Sequence, residues 1–590
     1  MRIPIPPLHH RNLRPLMAGL VLSSMAYATA NAIERVSVAA DGTEANDQSE
    51  RPAMSLNGQY VVFVSDADNL VPGDSNNNQD IFLKNRMTGA VHLASITADG
   101  TQAEYSSGNP TVSADGRYVC FNTGSGNLHP DDDNGDGDVY VKDMKTGALQ
   151  WISRAPDGSA GDDGSANAFI TPDGRYVVFQ SGAENLDPDG DANDGDRDVF
   201  VKDRKTGRLE RVNETADGTQ ANNDCENPYI TPDGRFVSFY SYSDNLVPGD
   251  TNGRSDIFVK DRKTGAIELV SISSDEEPGD GYCRCHHMSD DGRYVIFRSS
   301  STNLVPGDTN SSYDAFVKDR KTGILKRVSV AADGTEANSS SGGVWISSDG
   351  RFAAFWSGAS NLVDSGVMKD SDYDQIYVKD RKTGRIARVS QSASGEIGNR
   401  DSRATFMTGG GYIAFKSRAD NLVPNDNNGI PNYWDGEDIF LAKNPFATYK
   451  PDGGVGKNRN SSRSLLSLKN PSGKAHKFYL TAENKGNVFD DLCIKGDSGG
   501  AKYRTTYRQI GGGNVTGDVL RGKLVSGQIP GEKAVLQCVA KPKGKSQQKA
   551  TLTHRVKSLG QRPKQDVARA KVENDAPKKE PVSIKPNDLF

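Results

Sequence analysis

The sequence predicts an all-β chain: a seven-bladed β-propeller of four-stranded blades, closed by its N-terminal strand, followed by a C-terminal β-sandwich. Three observations predict it. Asp-Gly-Arg recurs at Asp115, Asp173, Asp233, Asp291 and Asp349, at spacings of 58 to 60 residues, with Asn57-Gly58 before the series and Gly409-Gly410-Gly411 after it. An acidic residue opens an alternating apolar stretch at Asp80, Asp138, Asp198, Asp256, Asp314, Asp374 and Asp438, so both anchors count seven units. The 62 glycines and an apolar share of only 35% suit short sheets joined by polar turns.

Taken in order, residues 1–32 read as a signal peptide. Arg2, Arg11 and Arg14 charge its start, Leu16 to Ala26 are apolar, and Ala30-Asn31-Ala32 offers a small-x-small cleavage site. Export to the periplasm or beyond the cell follows, into an oxidising compartment. No run of 18 apolar residues exists to span a membrane after processing.

Residues 33–445 hold the repeats. In the fourth unit the strand signals are Asn227 to Thr231, Arg235 to Ser241, Asp256 to Lys260 and Leu269 to Ile272, separated by turn residues. Four short strands per unit make a propeller blade. The chain starts with Glu34-Arg35-Val36-Ser37, which matches a fourth strand, while the seventh unit stops at its third, Asp438 to Leu441. The first strand therefore completes the last blade and removes the open sheet edges.

Units such as Thr231-Pro232-Asp233-Gly234-Arg235-Phe236-Val237-Ser238-Phe239 resemble the WD-like repeat of TolB-type propellers. That resemblance implies the fold over roughly residues 33 to 445. For function it implies a protein-binding platform, a companion of a peptidase domain or a scaffold for a carbohydrate-active site.

Comparing the repeats with one another separates scaffold from specificity. Turns after first and third strands share one face, and there Asp-Gly-Arg and Lys-Asp-Arg-Lys-Thr-Gly recur almost unchanged, as expected of chain-reversing turns. The opposite face carries rim loops rich in Asp and Asn. Asp74, Asn76, Asn78 and Asp80 place oxygens on alternate residues, as do Asp132, Asn134, Asp136 and Asp138; Asp194, Asp196 and Asp198; and Asp370, Asp372 and Asp374. Asp250, Asn252 and Asp256, and Asp308, Asn310 and Asp314, follow a related pattern. Hard oxygen donors in tight loops suit structural Ca²⁺. The Asp132 run is the best of them, with Gly137 at the turn of an EF-type loop and Asp143 at its twelfth position.

The centre of that face varies from unit to unit. Candidate binding residues there are Glu50, Arg51, Tyr105, Asp163, Glu226, Arg284, His286, His287, Trp345, Arg400 and Arg403. Cys225 and Cys283 each lie eight residues before their Asp-Gly-Arg aspartate, so a disulfide from Cys225 to Cys283 or Cys285 is expected between neighbouring blades.

Residues 446–457 form a linker and 458–573 an immunoglobulin-like sandwich similar to small modules of bacterial secreted proteins. Its strands are expected at Lys477 to Thr481, Asp491 to Ile494, Lys533 to Val539, Ala550 to Val556 and Asp566 to Val572, with Cys493 and Cys538 positioned to bridge. Gly496-Asp497-Ser498-Gly499-Gly500 copies a serine-protease nucleophile motif. It is read as a Gly-rich turn, because His476 is the only histidine before it in the domain. Residues 574–590 are rich in Pro, Lys and Asp and read as a disordered tail.

Charge divides the chain. Residues 451–590 hold 27 basic against 12 acidic side chains, and the mature propeller region carries a net charge of about −24. Such a domain repels nucleic-acid phosphates. The function expected is a non-catalytic scaffold that binds a protein or polysaccharide at its variable centre, with no cofactor beyond structural Ca²⁺. The competing reading is a carbohydrate-active lyase or hydrolase using Tyr105, His286, His287 or Arg403.

Overall fold

A computed structural model describes residues 33–447, apart from 188–189, 191–194, 364–372 and 427–435, together with the backbone of eight strands between 465 and 573. The signal segment, most of the linker and the tail lie outside the described residues. Among those described, no α-helix occurs, and no helix is long and apolar enough to cross a membrane.

Seven four-stranded antiparallel sheets follow one another, each ordered first to fourth strand. The seventh contains the N-terminal strand Ile33–Arg35, which pairs with Asp438–Lys443 in the register Ile33 to Ala442, Glu34 to Leu441 and Arg35 to Phe440. The expected closure is therefore present. Val36, 1% exposed, and Ser37, whose Oγ donates to Asp438 Oδ1 at 2.5 Å, secure the seam.

The sequence makes these blades through period-2 alternation on two middle strands. In blade 4, Phe236–Ser241 and Asp256–Asp261 pair so that Phe239 faces Phe258, with ring centroids 5.7 Å apart. Every blade repeats this aromatic pair, for example Phe63 with Phe82 and Phe415 with Phe440, each at 5.8 Å. A fully buried Phe contributes about 2–3 kcal/mol of burial, and the paired rings add directional contact. Successive apolar cores sit between neighbouring blades.

The fourth strand of blade 4 is Ile267–Leu269, earlier than the expected Leu269 to Ile272. It leaves the ladder because Ser271 turns its Oγ onto Asp256 Oδ1 at 2.5 Å. The same clamp joins Ser153 to Asp138 and Ser329 to Asp314, each at 2.5 Å. In blade 6 the third strand opens on Gln375 rather than the expected Asp374, and Ser390 donates to Gln375 Oε1 at 2.7 Å.

The uniform face is structural. Lys318 Nζ donates to Ile272 O at 3.1 Å in the preceding blade, and Lys379 Nζ to Val330 O at 2.7 Å. Arg262 donates to Gly234 O at 2.5 Å and to Glu210 Oε2 at 2.9 Å, and covers the Tyr176 ring of the preceding blade at 5.3 Å. Its repeated cations thus staple blade to blade.

Beyond residue 464, five strands form one sheet and three another. His476–Glu483, Asp490–Gly496, Lys533–Pro542, Ala550–Ser558 and Gln565–Glu573 contain the five expected strands. The packing of a sandwich and any pairing of Cys493 with Cys538 lie outside the described residues.

Candidate functional site on the axial face

The first strand of each blade lines the propeller axis, and all seven carry the same irregularity. The third residue adopts a left-handed conformation at Arg51, Asn109, Asn167, Asn227, Cys285, Gly343 and Ala404, with φ between 47° and 54°. Ladder register shifts there, as between Glu50 and Ala53 or Arg284 and His286. This bulge inserts one residue and re-aims those that follow.

Three layers result. The deepest joins Phe169, Tyr229, His287, Trp345 and Phe406 from five consecutive blades in ring contacts of 3.9 to 4.6 Å. Above it, the bulge residues form a ring, polar on blades 1 to 4, in which Asn109 Nδ2 donates to Asn167 Oδ1 at 2.8 Å and Arg51 donates to Asn109. The uppermost layer pairs the second residue of each first strand with its partner on the second strand. Those partners are Val64, Asn122, Gln180, Tyr240, Arg298, Trp356 and Lys416.

The expected binding residues divide among these layers. Glu50, Glu226, Arg284 and Arg403 lie in the upper one and Arg51 in the polar ring. Lys416 reaches Glu50 at 3.3 Å, Arg197 reaches Glu226 at 2.7 Å, and Arg403 pairs with Asp374 at 2.5 Å. Tyr105 is exposed on an entry loop, with Asp163 and Arg400 on the corresponding loops of later blades.

His287 is buried, and His286 and Trp345 are half-buried. Burial pushes the His286 imidazole down to about 4, and both of its ring nitrogens lack a hydrogen-bond partner. His287 is sealed between Tyr229 and Trp345, and burial likewise holds it well below its usual value.

Sequence reasoning missed the second-strand partners. Arg298 stands over the Tyr313 ring at 3.9 Å and the Trp356 ring at 5.5 Å, and its Nε has no hydrogen-bond partner. Arg403 covers the same Trp356 at 5.3 Å. Arg284 donates to Tyr242 Oη at 2.9 Å, and Tyr242 meets Tyr282, over which Arg254 lies at 4.7 Å. A continuous crescent of arginines and aromatic rings therefore runs over blades 4 to 7.

The other side of the axis is acidic. A cavity of about 430 Å³ opens at blades 2 and 3, lined by Asn122, Asp163, Asp196, Arg197 and Asp224 among others.

In the rim loops, asparagine amides bond the backbone. Asn76 Nδ2 donates to Ala103 O at 3.0 Å and its Oδ1 accepts from Asn78 N at 3.2 Å, while Asn78 Nδ2 donates to Glu104 O at 2.9 Å. Asn134 does the same with Gly161 O at 2.8 Å and Asp136 N at 3.1 Å. These amides hold the loops together. Asp143 is no twelfth ligand, because it ends a six-residue strand on the uniform face and pairs with Arg117 at 2.8 Å. The left-handed turn residue is Gly135, at φ 75°, rather than Gly137. Asp194, Asp370 and Asp372 lie outside the described residues.

Cys225 and Cys283 are buried free thiols and Cys285 an exposed one, so the expected inter-blade disulfide is absent. The reason is packing. Cys225 belongs to the core between blades 3 and 4, and Cys283 to the next core along.

Seven four-stranded blades, the last closed by the N-terminal strand, decide the architecture. The domain is a seven-bladed β-propeller. No family model and no curated protein matches the sequence. Similar solved structures include the putative TolB from Agrobacterium tumefaciens, at 14% identity, covering 48% of this chain and 80% of that one with a TM-score of 0.30. The WD40 repeats of RRP9 match at 8% identity over 70% of this chain and 98% of that one, with a TM-score of 0.35. A puromycin-hydrolyzing peptidase of Mycobacterium tuberculosis matches at 11% over 78% and 65%, with a TM-score of 0.28. At these values the assignment of fold rests on the blades themselves.

Proposed function

We propose that this chain is an exported, non-catalytic binding scaffold that takes a protein or glycan partner on the axial face of its propeller. The single observation carrying this reading is the crescent centred on Arg298. The seven blades repeat one scaffold, and here they depart from it with arginines and aromatic rings, the side chains that dominate binding energy at interfaces. Arg298 is half-buried between two rings, so its guanidinium is already positioned, and a cation held there suits a carboxylate or sulfate. The partner is therefore one that presents acidic groups, either an acidic polysaccharide or an acidic protein surface.

The Ala30-Asn31-Ala32 motif supports export. A screen of the purified mature chain against glycan and protein arrays tests the reading. Acidic partners that bind wild type and lose affinity with Arg298→Ala support it. Partners that bind Arg298→Ala and wild type equally contradict it.

A further inference from the structure

The rim loops hold pairs of buried carboxylates, and three blades neutralise them with an arginine from the fourth strand. In blade 5, Arg327 Nη1 lies 3.1 Å from Asp308 Oδ1, 3.2 Å from Asp314 Oδ2 and 2.6 Å from Glu336 Oε1, while Nη2 donates to Gly307 O at 3.1 Å. In blade 7, Arg35 Nη1 lies 3.1 Å from Asp426 and 3.3 Å from Asp438 and pairs with Glu44, and Nη2 donates to Asn425 O at 3.2 Å. In blade 3, Arg211 meets Asp198 at 3.0 Å, Asp187 at 2.7 Å and Gly190 O at 3.1 Å. A cationic nitrogen thus sits where two carboxylates and a loop carbonyl converge.

Blade 1 keeps the oxygens and lacks the cation. Ladder register places Leu93 opposite Phe82 as Arg327 stands opposite Phe316, Arg211 opposite Phe200 and Arg35 opposite Phe440. Asp74 precedes Asp80 by six residues, as Asp308 precedes Asp314. Asp80 is fully buried, its Oδ1 takes Ser95, and its Oδ2 has no partner. That orphan is the atom that meets the guanidinium in the other three blades. Asn76 leans towards it, but its amide is committed to Ala103 O. Gly73 O corresponds to Gly307 O and accepts only from Gln102 Nε2, at 2.7 Å. Gly190 O accepts the equivalent Gln220 amide and still takes Arg211.

Blade 4 answers the problem differently, with Asn252 Nδ2 capping Asp256 Oδ2 at 2.7 Å. In blade 2, Trp151 Nε1 donates to Asp138 Oδ1 at 2.7 Å and Tyr140 donates to Asp132 Oδ2, while Asp138 Oδ2 and Asp132 Oδ1 are left without a partner.

We propose that blade 1 binds a divalent cation, by its hard oxygen donors Ca²⁺, between Asp74, Asp80 and the Gly73 carbonyl, in the place that a guanidinium fills in blades 3, 5 and 7. Waters complete the six to eight oxygens that Ca²⁺ takes. The site is independent of partner binding on the axial face.

The test titrates Ca²⁺ into the full mature chain after chelator treatment, by calorimetry, beside the variants Leu93→Arg and Asp74→Asn. Leu93→Arg builds into blade 1 the solution the chain itself uses three times. Wild type should bind one Ca²⁺ more than either variant, and its melting temperature should rise with Ca²⁺ by more than theirs. Leu93→Arg should also melt higher than wild type in EDTA. Equal stoichiometry in wild type and Asp74→Asn, or no Ca²⁺ binding by wild type, would overturn the assignment even if Leu93→Arg fails to fold.

Discussion

Arg235 and Asp261 are joined by two hydrogen bonds, Nε to Oδ1 at 3.1 Å and Nη2 to Oδ2 at 2.7 Å, which tie the turn after the first strand of blade 4 to the turn after the third. The same fork joins Arg175 to Asp203 and Arg293 to Asp319. It explains why this face repeats so faithfully.

The forks make stability depend on acid pH. The side-chain hydrogen bond from Arg175 holds Asp203 down to about 2, and that from Arg293 does the same for Asp319. A carboxyl depressed in the folded state stabilises above its unfolded value near 3.8, and that contribution is lost as pH falls towards 2. The melting temperature should therefore drop steeply between pH 4 and 2. Arg175→Ala with Arg293→Ala should lower it by a few degrees at pH 7 and flatten the acid limb. An acid limb of unchanged steepness in that double variant would deny the forks this role.

A second prediction concerns the turn glycines. Gly234 has φ +72°, and a Cβ there would lie 2.4 Å from the Tyr176 ring of the preceding blade. Gly234→Ala should destabilise by about 1–3 kcal/mol, from backbone strain plus the clash. In a Tyr176→Ala background the clash disappears, so the same change should cost less. Denaturant unfolding of the four proteins reads the coupling, and strict additivity would remove the contact from the explanation.

Ring closure gives a third. Deleting residues 33–38 removes the strand paired with Asp438–Lys443, the core residue Val36 and the Ser37 clamp on Asp438. An open edge on blade 7 then invites pairing with another chain. The truncated protein should lose cooperative unfolding or associate in sedimentation. A monomer with unaltered melting would show that the seam is dispensable.

Blade number, closure and the structural role of the uniform turns were legible because Asp-Gly-Arg and the third-strand aspartate recur at a fixed spacing. The central face was only partly legible. Its bulge breaks the period of two, so His286 and His287 turn inwards although they neighbour the surface residue Arg284. Arg298, Trp356 and Tyr240 hide beside the constant phenylalanines of the second strand. Stacking the repeats would have exposed them, since that one position runs Val64, Asn122, Gln180, Tyr240, Arg298, Trp356 and Lys416 while its neighbour is always Phe. The rim loops hold a role that their composition does not reveal. Asparagine side chains also donate, and here their amides bond loop carbonyls.

The central claim is that binding resides on the axial crescent. With a partner found by array screening, its most direct test is the dissociation constant of wild type, Arg284→Ala, Arg298→Ala and Arg403→Ala beside Lys205→Ala and Lys321→Ala. Loss of an interface arginine anchor costs about 2 kcal/mol or more, roughly thirtyfold in affinity. Arg298→Ala should show that loss. Arg284→Ala and Arg403→Ala should weaken binding several-fold, because Tyr242 and Asp374 already occupy part of each guanidinium. Exposed Lys205 and Lys321, on the opposite face, should leave the constant unchanged. Equal losses on both faces, or unchanged affinity in all three arginine variants, would contradict the account.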